Sequence, residues 1–295
     1  RPDITVDSAG NIIVAWKDNT PGNTDILLIR STDNGSSWSA AVNLSNNSGI
    51  SQSPDITVDS AGNIIVAWVN TAPGSLDIFF IRSTDNGSSW SAAANLSNNL
   101  GHSFTPDITV DSAGNIIVAW QDYTPGNADI FFIRSTDNGS SWSTAVNISN
   151  DSLNSFDPAI TVDSLGNINV VWSGYPSGSA EILFRRSTDN GSSWSAAANL
   201  SNTSANSYCP AIIVDSAGNI NVVWQDYTTG NNDIFFIRST DNGSSWSAAA
   251  NISKNPANSY GPAMTIDSTG NINIVWYDYD NIPGNADIFF SGSTR

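Results

Sequence analysis

The chain has 295 residues, of which 39% are aliphatic, aromatic or cysteine and only 13% charged, with 11 Trp and 11 Phe. That is ample apolar material for a core and excludes a disordered polymer, while no stretch approaches the roughly 18 unbroken apolar residues of a membrane-spanning helix. Ten Lys and Arg stand against 27 Asp and Glu, a formal charge of −17, which argues against a phosphate-backbone partner.

The imbalance is peculiar in kind. Glu181 is the only Glu, and Lys17 and Lys254 are the only lysines. Turn and strand-end residues abound instead. The single cysteine, Cys209, excludes an internal disulfide and any cysteine-cluster metal site.

Read from its start, the chain is one unit written six times. Pro2, Pro54, Pro106, Pro158, Pro210 and Pro262 are each 52 residues apart, and Trp16, Trp68, Trp120, Trp172, Trp224 and Trp276 keep the same spacing. Within the first unit, "DITVDS" alternates and ends in the turn "DSAGN". "NIIVAW" runs back, "DILLIRS" follows the loop "NTPGN", and "WSAAVNLS" closes the unit. Every gap carries Gly, Asn, Asp or Pro, and no segment keeps a 3.6-residue apolar period. Four short strands per repeat of roughly 40–50 residues predict the blade of a β-propeller. The expected fold is therefore all-β: a six-bladed β-propeller of four-stranded antiparallel blades, forming one domain over 1–295. Its blades run about 1–52, 53–104, 105–156, 157–208, 209–260 and 261–295, the last truncated to about three strands.

The block "STDNGSSW" begins at Ser31 and returns at Ser83, Ser135, Ser187 and Ser239. It matches Ser-x-Asp-x-Gly-x-x-Trp, and the chain thereby resembles the Asp-box (BNR-repeat) sialidase-like β-propellers along its whole length. The turn explains the residues: Asp caps backbone N–H groups, Gly takes the positive φ, and Trp packs over the hairpin. The resemblance implies that the box is a structural staple, on the face opposite the ligand site. Asp33, Gly35 and Trp38 of the first box, then Asp85, Gly87 and Trp90, Asp137, Gly139 and Trp142, Asp189, Gly191 and Trp194, and Asp241, Gly243 and Trp246, are thus read as structural.

Two irregularities follow. The chain stops after the third strand of blade six, where Ser293 and Thr294 precede Arg295 instead of a box Asp. With no start methionine or leader, it is expected to be excised from a longer protein. The edge bearing Phe289 and Phe290 invites pairing with another chain. Second, Asp3, Asp55 and Asp107 of the first three blades become Ala159, Ala211 and Ala263, while Ala15, Ala67 and Ala119 become Val171, Val223 and Val275. Folding the hairpin about "DSAGN" sets residue 3 opposite residue 15, so bulk lost on one strand returns on the other. The trio is a weak cation candidate and a better packing exchange.

Function is expected where blades differ. Gln52, Phe104, Phe156, Tyr208 and Tyr260 precede the repeat prolines, and Tyr123, Tyr175, Tyr227, Tyr277 and Tyr279 follow the second-strand tryptophans. With Asp18, Asp122, Asp226 and Asp278 beside them, these rings suit sugars by stacking and hydrogen bonding, or a cationic peptide by cation–π contact. Their competing role is to cover blade junctions. No cofactor is required by these residues; calcium is the ion the four aspartates are weak candidates to take.

The resemblance also implies what a sialidase would need: three substrate-gripping arginines, a Tyr–Glu pair and an Asp acid. Arg30, Arg82, Arg134, Arg186 and Arg238 share one repeat position and cannot converge; Glu181 stands where other blades have Asp25, Asp77, Asp129, Asp233 and Asp287. Only Arg185 is blade-specific, and Arg1-Pro2 lacks the middle residue of the family's Arg-x-Pro motif. The triad and pair are not found, and catalytic residues are assigned to none. His102 reads as a solvated loop residue and Cys209 as an inert thiol. The expectation is a non-catalytic binding or scaffold module with a glycan or protein ligand; the alternative is a degenerate or unfamiliar glycosidase using an Asp pair. Scarce lysine, abundant Asn, Ser and Thr, and repeated Asn-x-Ser sequences point outside the cell or to its surface.

Overall fold

A computed structural model describes residues 2–293, apart from 21, 72–73, 125, 151, 177 and 280–285, and the backbone alone of Ala286 and Ser293. Arg1, Thr294 and Arg295, on which the arginine-motif and last-box readings partly fell, lie outside the described residues. The chain is a six-bladed β-propeller: five antiparallel sheets of four strands in sequence order and a sixth of three. Two compact units, Arg1–Asn150 and Asp151–Arg295, hold three blades each.

The second blade shows how sequence becomes sheet. Its strands are Ser51–Val58, Ile64–Asn70, Asp77–Ser83 and Ala94–Asn95. Between the first two, Asp59 Oδ1 accepts the N–H groups of Ala61 and Asn63 at 2.9 Å, and Gly62 takes φ 83°. That turn needs a residue at ease with positive φ, and glycine supplies it without steric cost. The fourth strand is far shorter than "WSAAVNLS" suggested. Its place is held by single contacts: Ser91 N–H bonds Arg82 C=O at 2.8 Å and Leu96 N–H bonds Ile78 C=O at 2.7 Å. Small Ala and Ser residues there offer no branched side chains to favour a long strand.

The second-strand tryptophans Trp68, Trp120, Trp172 and Trp224 are wholly buried. Blades pack within each unit through clusters that repeat with the sequence. In the first unit Ile26 and Leu28 meet Ile56 and Ile64, and Ile78 and Phe80 meet Ile108 and Ile116. In the second, Ile182 and Phe184 meet Ile212 and Ile220. The third-strand phenylalanine of one blade also receives the box tryptophan of the next: Phe80 meets Trp142 edge-on at 5.0 Å, and Phe184 meets Trp246 at 5.1 Å. Arginine closes the same junctions, Arg186 bonding the Asn242 carbonyl at 2.8 Å and Asp163 at 2.8 Å.

Candidate functional site

Every first strand of blades two to six carries a β-bulge before its proline. In blade three Phe104 pairs with Gln121 and Asp107 with Ala119, so Thr105 and Pro106 together face Trp120. Proline has no N–H to give the ladder, and the bulge removes the need for one. The extra residue takes left-handed backbone: Ser53 at φ 51°, Thr105 at 44°, Asp157 at 50°, Cys209 at 51° and Gly261 at 55°. Bulges re-aim side chains, and here the re-aimed neighbours are the candidate aromatics Phe104, Phe156, Tyr208 and Tyr260.

In the first unit Phe104 meets Tyr123 edge-on at 5.8 Å, with His102 6.3 Å from Phe104. Tyr123 is 38% exposed, and the His102 Nδ1 accepts Leu76 N–H at 3.2 Å, so the histidine ties the connection into blade three to the loop between the second and third strands of blade two. The second unit is richer, holding six of the chain's seven tyrosines. Phe156 meets Tyr175 edge-on at 6.1 Å, and the hydroxyls of Tyr175 and Tyr208 hydrogen-bond at 3.1 Å. Partial burial, reinforced by Tyr175, pushes the Tyr208 phenol up to about 12, so the pair stays neutral. Tyr260 stacks on Tyr277 at 5.7 Å, and Tyr279 stands edge-on to Tyr260 at 5.9 Å and to Tyr277 at 5.6 Å. Tyr227 and Tyr279 are each 50% exposed. Tyr277 also explains Gly261, where a Cβ would stand 2.8 Å from its ring.

The aspartates beside the aromatics are already engaged. Asp122 accepts Trp120 Nε1 at 2.9 Å, Ser103 Oγ at 2.8 Å, Asn99 Nδ2 at 2.7 Å and Thr124 N–H at 2.8 Å. Burial works against its ionisation, but the donors from Thr124, Trp120 and Asn99 outweigh it and hold the carboxyl below its ordinary value. Asp226 accepts Trp224 Nε1, Ser207 Oγ and Thr228 N–H in the same way, Asp18 accepts Trp16 Nε1, and Asp278 accepts Asn255 Nδ2. In blades one, three and five the carboxylate fastens the indole and the loop after it. The Nε1 of Trp276 has no partner although Asp278 is present, and neither has that of Trp68 or of Trp172, where Asn70 and Gly174 replace the aspartate. Among the described residues no three His, Cys, Asp or Glu are grouped to hold a metal ion.

The box residues form closed turns. Asp85 Oδ1 accepts Ser89 N–H at 2.8 Å, and Ser83 Oγ accepts Gly87 N–H at 2.7 Å. Donation from the Ser89 hydroxyl and N–H draws Asp85 down to about 2. Two open grooves of about 530 and 460 Å³ lie along these turns, lined among others by Trp38 and Arg30 in blade one and Trp194 and Arg186 in blade four. They are equivalent features of the repeat and hold none of the candidate aromatics.

The Asp3, Asp55 and Asp107 trio has the expected register, Asp3 opposite Ala15, Asp55 opposite Ala67 and Asp107 opposite Ala119. Reading it as a packing exchange alone was incomplete. Asp3 Oδ2 accepts Ile56 N–H at 2.8 Å and Asp55 Oδ2 accepts Ile108 N–H at 2.6 Å, each reaching the following blade. Burial, then the negative charges of Asp107 and Asp3, raises the Asp55 carboxyl well above the ordinary carboxylate range, and it hydrogen-bonds both neighbours. The raised value favours a protonated carboxyl in this row. Nothing in the sequence pattern separates a carboxyl that reaches across a junction from one that merely fills space.

A family model described as a BNR repeat-like domain matches residues 8–222. The chain belongs to the BNR repeat-like domain family. No curated protein sequence matches it. Among solved structures, this BNR repeat-like chain is similar to a Dyadobacter fermentans protein of unknown function, with TM-score 0.71 and 14% identity over 99% of this chain and 93% of that one. An α-L-arabinanase of Penicillium chrysogenum complexed with arabinobiose gives TM-score 0.67 and 18% identity over 99% and 92%. The leech intramolecular trans-sialidase complexed with 2,7-anhydro-Neu5Ac gives 0.67 and 12% over 99% and 67%. At these identities the likeness is one of fold.

Proposed function

We propose that the protein is a carbohydrate-binding module of a secreted or cell-surface protein and takes its ligand on the aromatic loop ends. The observation that carries this is the tyrosine set of the second unit, where Tyr279 remains half exposed against Tyr260 and Tyr277 and Tyr227 is exposed to the same extent. Phenol faces with a polar edge stack on sugar rings and hydrogen-bond their hydroxyls. Two of the similar folds carry sugars in their named complexes, arabinobiose and 2,7-anhydro-Neu5Ac, which supports the ligand class. A scaffold role with a protein ligand is the outcome if no sugar binds. A glycan-array screen of the purified chain, with and without calcium, tests the reading. A specific hit that weakens stepwise as Tyr279, Tyr260 and Tyr227 are changed to alanine is expected; a blank array refutes it. Loss of the hit on chelation would bring calcium into the site.

A second reading has its own observation. Asp55 stands between two other carboxyls, and burial together with their charge raises its carboxyl well above the ordinary range, the kind of environment in which general acids occur. As a glycosidase the chain would lose all turnover in Asp55→Asn. Turnover of an array-selected oligosaccharide by the wild type, followed by release of reducing ends, decides for or against it.

A further inference from the structure

Neighbouring blades meet through two unlike faces, and the inner junctions show what each is made of. At the junction of blades one and two, blade one supplies Ile13, Ala15, Ile26 and Leu28, and blade two supplies Ile56, Ile64, Val66 and Trp68. The junction of blades five and six repeats this, Val223 and Ile234 meeting Ile272, Ile274 and Trp276. Two faces are left open. On blade one, Ile4 is 62% exposed where its equivalent Ile56 is 6%, and Ile12, Val14 and Trp16 are half-buried where Ile64, Val66 and Trp68 are buried. On blade six the opposite face is open: Ile288 is 76% exposed where Ile234 is 0%, and Phe290 64% where Phe184 is 3%. Contiguous apolar surface of this kind marks an interaction site. These two surfaces are the two halves of a junction that each unit already builds. The fit extends to one slot. Phe184 lies over Gly243, where a Cβ would stand 2.7 Å from the ring, and meets Trp246 edge-on; Phe80 does the same at Gly139 and Trp142. At Gly35 only Ile12 and Trp38 come within 4 Å of that position among the described residues, and Trp38 is 42% exposed.

We infer that two copies of this chain associate head to tail, the open face of blade six in one copy packing on the open face of blade one in the other. Phe290 then enters the slot between Gly35 and Trp38 of the second copy, as Phe184 enters the slot between Gly243 and Trp246. The contact is heterologous, because the two faces differ and each already has its counterpart in the other. Pairing of two last strands edge to edge would leave Ile4, Val6 and Trp38 uncovered. The inference is independent of the carbohydrate reading, and its test needs no sugar.

Sedimentation velocity over a concentration series compares wild type, Ile4→Asp, Phe290→Asp and an equimolar mixture of the two variants. Wild type is expected to associate, and each variant alone, with one face blocked, to associate at least tenfold more weakly. The mixture is expected to form dimers with one chain of each kind, since the open blade-six face of the Ile4→Asp chain meets the open blade-one face of the Phe290→Asp chain. Growth stops there, because both outer faces carry the aspartate. Ile4 and Phe290 are largely exposed, so the dilute variants should melt with wild type; Val6→Asp, on the same face and 57% exposed, replaces Ile4→Asp if that variant melts lower. Wild type that stays monomeric up to its solubility limit overturns the inference. So does an Ile4→Asp chain that associates as wild type does, the result edge-to-edge pairing would give, and so does a mixture that stays monomeric.

Discussion

Replacing Asp55 by asparagine is expected to stabilise the protein at alkaline pH and to do little at acid pH. The amide oxygen still accepts Ile108 N–H, now made by Asp55 at 2.6 Å, and the amide N–H group donates to Asp3 or Asp107 where the wild type must keep a proton. The direction follows from linkage. Below the ordinary carboxyl value of 3.8, Asp55 is protonated whether folded or unfolded and contributes no pH dependence. Above it the unfolded chain releases the proton and the folded chain, with its raised value, retains it. Wild-type stability therefore falls as pH rises through that window and has lost the whole contribution once pH exceeds the folded value. The substituted amide cannot titrate, so the variant's advantage grows with pH and reaches about 1.5–3 kcal/mol, the worth of one hydrogen bond to a charged partner. Asp55→Ala separates charge from bonding: it leaves Ile108 N–H without its acceptor, a loss of about 1–3 kcal/mol at acid pH. Adding Ala67→Val to it reproduces the Ala159 and Val171 pairing of blade four and should restore part of that loss. Urea unfolding followed by tryptophan fluorescence at intervals from pH 4 to pH 8 measures these differences. A constant offset between wild type and Asp55→Asn at every pH would refute the shared-proton row.

Three further outcomes follow from the junctions and turns. Phe184→Ala should cost about 3–5 kcal/mol in thermal or urea unfolding, because the ring is 3% exposed and packs on Trp246 and against Gly243. Asp137→Asn should lower the melting temperature at neutral pH; the carboxyl sits at about 2 through donation from Ser141, so its contribution is complete above the ordinary value and the difference from wild type should vanish as pH falls through 2. The last strand exposes Ile288 at 76% and Phe290 at 64%, so the chain should associate as concentration rises, and Phe290→Asp should abolish this in sedimentation velocity.

The blades were legible because the repeat made each weak signal sixfold. A single "NIIVAW" is an ambiguous apolar run, but a tryptophan every 52 residues fixes the strand, its turn and its register, down to Asp3 facing Ala15. The short fourth strand was not legible, since "WSAAVNLS" has strand-like length and its pairing depends on a few backbone bonds to the third strand. The bulge was legible in principle: a proline inside an alternating strand signals one, and Pro54, Pro106 and their repeats stood in view. The aromatic contacts depend on that bulge, and side-chain meetings such as Tyr175 with Tyr208 join residues 33 apart, beyond what spacing reveals. The carboxyl row was visible as three aspartates, and its bonding was not, because only the packed junction brings Asp3 to the N–H of Ile56.

The most direct test of the carbohydrate reading places its two faces against each other. Calorimetric titration of an array-selected oligosaccharide into wild type, Tyr260→Ala and Trp38→Ala separates the tyrosine cluster from the box-side groove, where Trp38 is 42% exposed. The account predicts at least a tenfold loss of affinity in Tyr260→Ala and wild-type affinity in Trp38→Ala. Loss of binding in Trp38→Ala with Tyr260→Ala unaffected would contradict it.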